Sequence, residues 1–254
     1  MVDAAGWDPE ARYAAILERA RADPTVVGVV VFGSRGAGAY VDDGSDVDAF
    51  VVVAGTSAEA ERWATEHGSD VEIWAMTLDE FRTHGLPETP TSWNRPSFLR
   101  ARIDLDRLDG EIGRIVEQRR RLAPDEAPAL AASALGAYIN ALYRSLRNLE
   151  AGRLLEGRLD AAESIGPLLT AAFALEGRVR PFNKWLPFEL AAEPFALPDL
   201  ADLLDHVERF LDDPTTEAQR GAFRAIERAA RSCGHGPIVD GWEPDVAWLR
   251  GLTR

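Results

Sequence analysis

The sequence predicts an α+β fold in two parts, and three observations carry the prediction. Short, almost continuous β-branched runs occupy the first hundred residues. Segments of helical periodicity fill nearly everything beyond residue 124. Between them lies a proline-marked break, Ala123-Pro124 to Pro128. The chain is therefore divided into a sheet-containing domain over 1–123 and a helical domain over 124–254.

The elements follow in order. Residues 8–22 read as a helix, with Tyr13, Ile16 and Leu17 at helical spacing and Asp8-Pro9 offering an N-cap and a first-turn proline. Thr25 to Phe32 reads as a strand buried on both faces. Gly33-Ser34 ends it and opens a glycine-rich turn. Val47 to Val53 is a second apolar strand, residues 57–67 a helix, Val71 to Met76 a third strand, and Thr77 to Thr83 a short capped helix. Residues 85–97, with Pro87, Pro90 and Pro96, read as a loop; Leu99 to Leu105 is a fourth strand and 111–122 an arginine-rich helix. Helices are then predicted over Ala129–Glu156, Leu159–Leu175, Leu200–Leu211 and Thr216–Cys233.

The bulk properties narrow the function. With 254 residues, 46% of them apolar, the chain can bury a sizeable core. No apolar run approaches the ~20 residues that span a bilayer. The N-terminal stretch MVDAAGWDPEARYAAILERA is charged and amphipathic, without the apolar region of a signal peptide. The one cysteine, Cys233, excludes an internal disulfide and reads as a packed or surface residue, which fits a cytoplasmic protein. His67, His84, His206 and His235 show no ligand spacing and read as surface or capping residues. No P-loop pattern or zinc-type cysteine cluster is present. Against 42 Asp and Glu stand 28 Lys and Arg, a net charge of −14. Such a surface disfavours a nucleic-acid partner and favours cationic small molecules or basic protein patches. Monomer and homodimer stay equally open.

One constellation carries chemistry. Phe32-Gly33-Ser34 ends a buried strand, and Asp46-Val47-Asp48 opens the next. In a strand, residues i and i+2 point to one side, so Asp46 and Asp48 project together. Two parallel carboxylates are costly unless a cation lies between them. Close-set hard oxygen ligands suit Mg²⁺, which keeps waters and takes further ligands from phosphates. Gly33 lets backbone approach a phosphate, and Ser34 offers a hydroxyl and an amide. Glu72 is a charge in an otherwise apolar third strand, and a metal shared with Asp46 and Asp48 would be its partner. Asp70 competes for that assignment.

The stretch GSRGAGAYVDDGSDVDAFVVV resembles the signature of the polymerase-β-like nucleotidyltransferase superfamily, which includes antibiotic nucleotidyltransferases acting on aminoglycosides and lincosamides and small modules paired with toxins. The motif match covers roughly residues 25–76. The resemblance implies a mixed sheet flanked by helices, Mg²⁺ held by Asp46 and Asp48, and a nucleoside triphosphate, ATP or another, held by Gly33 and Ser34. The third carboxylate maps onto Glu72, where many polymerases carry Asp. Arg35 takes the place of a basic residue found in several relatives and is expected at phosphate. Within the helical half, which in the antibiotic-modifying members helps close the site, Lys184 is the expected phosphate contact, and Tyr143 or Trp185 would stack on the base. Asn140, Tyr143 and Arg147 form one polar stripe, and Asp160 and Glu163 a second group on the next helix. Glu72, Asp160 and Glu163 are the candidate general bases.

The expectation is therefore an Mg²⁺-dependent transfer of a nucleotidyl group to a small-molecule hydroxyl, an aminoglycoside-type acceptor among the options. Nucleotidylation of a protein, and a non-catalytic nucleotide-binding module, are the rivals.

Overall fold

The structure is a computed structural model that describes residues 7–65, 68, 70–212 and 214–252. The start of the N-terminal stretch, the predicted end of the helix over 57–67, and His67 lie outside the described residues. Contacts group the chain into two compact units, Met1–Arg120 and Arg121–Arg254.

The first unit is built on a four-stranded mixed sheet of order β3-β2-β1-β4, from β1 (Val26–Phe32), β2 (Val47–Val53), β3 (Val71–Thr77) and β4 (Arg102–Asp106). β1 is antiparallel to both β2 and β4, whereas β2 and β3 run parallel. All seven residues of β1 are buried, as its unbroken Val-rich run requires. One face packs Val29, Val31, Ala49, Val51 and Ile73 against α1 (Pro9–Ala22) and α3 (Ser57–Ala64). The other packs Val30, Phe32, Phe50, Val52 and Met76 against Phe81 of α4 (Leu78–Thr83), Phe98, and Ile112 of α5 (Glu111–Arg120). A bulge after Val26 turns Gly28 toward α5, where a Cβ would lie 2.7 Å from Ile112 Cδ1. Between β1 and β2 sits the single-turn α2 (Gly33–Ala37).

Three expectations in this unit needed correction. The fourth strand begins at Arg102, because residues 92–98 wind into a 3₁₀ helix instead of a loop. That segment is pinned by buried polar groups: Asn94 meets His84 at 3.0 Å, and Arg95 donates to the Arg119 carbonyl at 3.1 Å. His84 is accordingly a buried residue packed against Phe50 and Phe98, and burial, with Arg119 beside it, pulls its pKa down.

The second unit is helical: α6 (Glu126–Glu150), α7 (Leu154–Leu175), α8 (Leu186–Ala192), α9 (Leu203–Asp212), α10 (Thr216–Ser232), α11 (Gly236–Asp240) and α12 (Asp245–Leu249). The first long helix stops at Glu150 and not at Glu156. Gly152, at φ 74°, supplies the left-handed turn that a helix end needs. Gly157, between the two predicted helices, lies inside α7, where a Cβ would stand 2.7 Å from the Leu149 side chain. It marks close helix–helix contact. The short α11 and α12 carry too few apolar repeats to show in the sequence. They are tied back to α10: Glu227 accepts from Arg250 Nε, just after α12, at 2.9 Å, and from Arg231 Nε at 2.9 Å, while Arg231 Nη2 donates to Asp240 of α11 at 2.7 Å.

Burial opposes ionisation of Glu227, but the hydrogen bonds from Arg250 and Arg231 outweigh it and hold its pKa below the ordinary carboxylate value. Its stabilising contribution is thus complete above the unfolded-state pKa, and it fades as pH falls through the lowered folded value. Glu227→Ala is expected to destabilise the protein by about 2 kcal/mol at pH 7. Denaturant melts of wild type and variant should converge as the pH drops below about 4.

Candidate active site

Of the residues singled out in the sequence, Gly33, Ser34, Asp46, Asp48 and Glu72 lie at one end of the β1–β2–β3 ladder. Phe32, the last residue of β1, pairs with Asp48, and Asp48 pairs in register with Glu72 on the parallel β3. Neighbouring strands lie about 4.8 Å apart, so these two carboxylates stand side by side on one face of the sheet. That face is the one carrying Phe50, Val52 and Met76, two-residue steps further along the same strands. Asp48 is half-buried and Glu72 half-buried, whereas Asp46 is exposed one residue ahead of β2. The strand period that would set Asp46 beside Asp48 begins only at Val47, so Asp46 stands just ahead of the ladder.

Gly33 closes the other flank. It adopts φ 65°, and a Cβ built on it would come within 2.6 Å of Asp48 Oδ2. The left-handed backbone disfavours a side chain, and the carboxylate occupies the space one would need. Ser34 follows in the first turn of α2, whose end is set by Gly38 in a left-handed cap.

The loop from α2 to β2 is organised by Ser45 and Asp42. The Ser45 hydroxyl donates to Asp42 Oδ1 at 2.9 Å and accepts from the Asp42 amide at 2.9 Å. Arg35 faces this loop. Its Nη2 and Nε donate to the Ser45 carbonyl at 2.8 and 3.1 Å, and its Nη1 pairs with Glu10 of α1. The guanidinium expected at phosphate is thus turned onto protein groups.

Asp70, the competitor of Glu72, is buried and ion-paired with Arg12 of α1. Glu72 makes the stronger third carboxylate for that reason. Near the far side of α2, Asp104 accepts from Tyr13 Oη at 2.6 Å and from Arg102 Nε at 2.8 Å. Burial disfavours its charged form, but the hydrogen bonds from Arg102 and Tyr13 prevail and lower its pKa; burial and Asp104 push the Tyr13 phenol well above its usual range.

In the helical unit, Lys184 is exposed in a 3₁₀ turn over Asn183–Trp185, its ammonium 5.8 Å from the Trp185 ring centre. Nearby Arg180 is held by neutral acceptors, the Gly166 carbonyl at 3.3 Å and Asn183 Oδ1 at 2.7 Å, and burial lowers its pKa. Tyr143 is half-buried, and its ring packs against Trp248 at 5.6 Å and Trp242 at 6.1 Å. Asn140 is exposed, and Arg147 lies over Trp248 at 5.9 Å. Asp160 and Glu163 are engaged by Arg144 at 3.2 and 2.8 Å, and Asp160 also by Asn148 at 2.7 Å. Among the described residues, no three His, Cys, Asp or Glu form a ready-made metal cage. Cys233 is exposed.

A mixed sheet whose first strand ends in Gly-Ser, and whose next two carry paired carboxylates at one end, has the architecture of a nucleotidyl-transferring domain. Comparison with known proteins agrees. Residues 14–95 match the family described as the nucleotidyltransferase domain, the part of the chain that carries Gly33, Ser34, Asp46, Asp48 and Glu72. The chain is also similar in fold to the crystal structure of a nucleotidyltransferase-like protein from Exiguobacterium sibiricum 255-15, with a TM-score of 0.50. That likeness covers 91% of this chain and 78% of the other at 16% identity, so it concerns the fold alone. No curated protein matches the sequence.

The Gly33–Asp48 contact gives a direct test. Gly33→Ala should destabilise the first unit by about 1–2 kcal/mol through left-handed strain. It should also abolish nucleotide binding by displacing the Asp48 carboxylate. Calorimetric titration with triphosphate beside a thermal melt checks both; wild-type binding by a folded Gly33→Ala protein would contradict the steric argument.

Proposed function

We propose that the protein is an Mg²⁺-dependent nucleotidyltransferase that moves a nucleoside monophosphate from ATP or another nucleoside triphosphate to a small-molecule hydroxyl. The observation that carries this reading is the in-register pairing of Asp48 with Glu72, with Gly33 against Asp48. Adjacent carboxylates repel unless positive charge joins them, and an all-oxygen donor set completed by phosphates and water fits Mg²⁺. When bound, the ion would neutralise charge developing on the triphosphate.

The protein's own groups divide the remaining work. Asp46 and Asp48 would hold the ion, and Gly33 and Ser34 receive the triphosphate's phosphates through close backbone approach and the Ser34 hydroxyl. The acceptor oxygen attacks the α-phosphorus in line, its bond to the pyrophosphate oxygen breaks, and pyrophosphate leaves. Glu72 takes the acceptor proton. Asp160 and Glu163 are less suited to that task, because Arg144 and Asn148 already engage them. Lys184, exposed beside the desolvated Arg180, is carried as a phosphate contact. Tyr143, its ring committed to two tryptophans, is given no part.

The acidic balance of the chain supports a cationic acceptor of aminoglycoside type over a polyanion. No described helix is long and apolar enough to cross a membrane, and the reaction is assigned to the cytoplasm, where Mg²⁺ and triphosphates are at hand.

Incubation with labelled ATP, CTP, GTP and UTP, Mg²⁺ and a panel of aminoglycosides, lincosamides and proteins tests the reading. Label is expected on a small cationic acceptor, with loss under EDTA. Asp48→Asn should lower transfer by about 10²-fold or more, the loss typical of a charge-stabilising group. Label on protein would move the assignment to protein nucleotidylation, and no transfer to any acceptor would defeat it.

A further inference from the structure

We propose that Arg35 is a positioning residue that sets where Asp46 stands, by clamping the carbonyl of the peptide that joins Ser45 to Asp46. The inference rests on the nucleotidyl-transfer reading of Asp46 and gives Arg35 a role other than phosphate contact.

Asp46 poses a mechanical difficulty. It precedes the first ladder residue, Val47, so the sheet does not hold it directly. The preceding loop is largely exposed, with Tyr40 and Val41 each at 47%, and Tyr40 has a positive φ of 54°. A ligand for a small hard cation must nevertheless sit within a few tenths of an ångström of its place. Ser45 is the one buried residue of the run 41–46.

Arg35 resolves this with geometry that no lysine can reproduce. Two guanidinium donors, Nη2 at 2.8 Å and Nε at 3.1 Å, meet the single Ser45 carbonyl and fix its direction. Rotation of that carbonyl would rotate the peptide plane and swing the Asp46 Cα with it. The guanidinium is anchored in turn through Nη1 to Glu10 on α1, and the Arg35 side chain is only 13% exposed. The backbone of Arg35 is held as well: its carbonyl accepts from Arg102 Nη1 at 3.2 Å, and Arg102 is fixed by Asp104. The clamp therefore links α1, α2 and β4 to the entrance of β2.

Mn²⁺ binding, followed by the paramagnetic signal of the free ion with and without a non-hydrolysable triphosphate, tests the proposal beside steady-state kinetics. Arg35→Ala is expected to weaken Mn²⁺ binding about tenfold or more, as loss of a group that orients a metal ligand does. It should lower kcat, leave metal-free triphosphate binding unchanged, and recover activity on addition of free guanidinium. Arg35→Lys should recover only part of the metal affinity, and Glu10→Gln, a milder change at the surface, should shift it the same way by less. Thermal melts identify any variant that fails to fold, and the Glu10→Gln measurement then decides. Weaker metal-free triphosphate binding by a folded Arg35→Ala protein would overturn the proposal in favour of a phosphate contact. Mn²⁺ affinity equal to wild type in both Arg35→Ala and Glu10→Gln would overturn it outright. Neither result depends on whether transfer occurs, so a wild-type protein that binds Mn²⁺ and triphosphate without transferring label sinks the transferase reading separately.

Discussion

The repulsion between Asp48 and Glu72 is the constraint around which the first unit is arranged. Parallel pairing of β2 with β3 puts the two carboxylates in register, and the next residues on the same face are Phe50 and Trp74. The charges cannot retreat into that aromatic layer without large desolvation cost. They must stay at the strand end, where water, a cation or a substrate can reach them. Beyond Phe32, which pairs with Asp48, the neighbouring segments are small or polar: Gly33 against Asp48, Ser34 next in the chain, and the Ser45–Asp42 turn before β2.

Holding like charges together demands a stiff frame, and the sheet supplies one. β1 is buried over its whole length and hydrogen-bonded on both edges, with helices on both faces. Phe32 stacks on Phe50 at 4.3 Å, and Phe50 on Phe98 at 5.4 Å, so the aromatic layer next to the carboxylates is continuous. Such packing has little room to yield. The polar network of Asn94, Arg95, His84 and Arg119 holds the 3₁₀ segment that completes this layer. Its members look like ordinary loop residues in the sequence, although they are structural.

What the sequence reveals and conceals follows from the range of each signal. β1, β2 and β3 were legible because burial on both faces imposes an apolar run of strand length. Asp48 stands out as a charge in an apolar strand; Asp46 is grouped with it by strand period, although it lies one residue ahead of β2. The register of Asp48 with Glu72 is a relation between strands that no local pattern encodes; the sequence offered only the odd charge of Glu72 in an apolar strand, with Asp70 competing, and the superfamily resemblance. Arg35 shows the opposite case. Its type and place beside Ser34 suggested phosphate, but its partners are a main-chain carbonyl ten residues on and Glu10 of α1, and a backbone acceptor leaves no mark in sequence. The helix end at Glu150 was missed for a similar reason: Gly152 and Gly157 are both glycine, and only the facing Leu149 tells a contact from a turn. Tyr143 looked like part of a polar stripe until Trp242 and Trp248, a hundred residues later, came to rest on it.

The strand order has a temporal side. β1, β2 and β3 are close in sequence, and β2–β3 needs only the short crossover through α3. β4 is the distant member, with Leu105 pairing to Val29 across the whole intervening chain. Loop-closure entropy penalises that late contact most. The strands bearing Asp48 and Glu72 can thus join before the sheet is complete, and β4 arrives last, bringing Arg102 and Asp104 to the underside of α2. In a chain emerging from the ribosome, the chemical end of the sheet would be assembled first and locked only when residue 106 has been made.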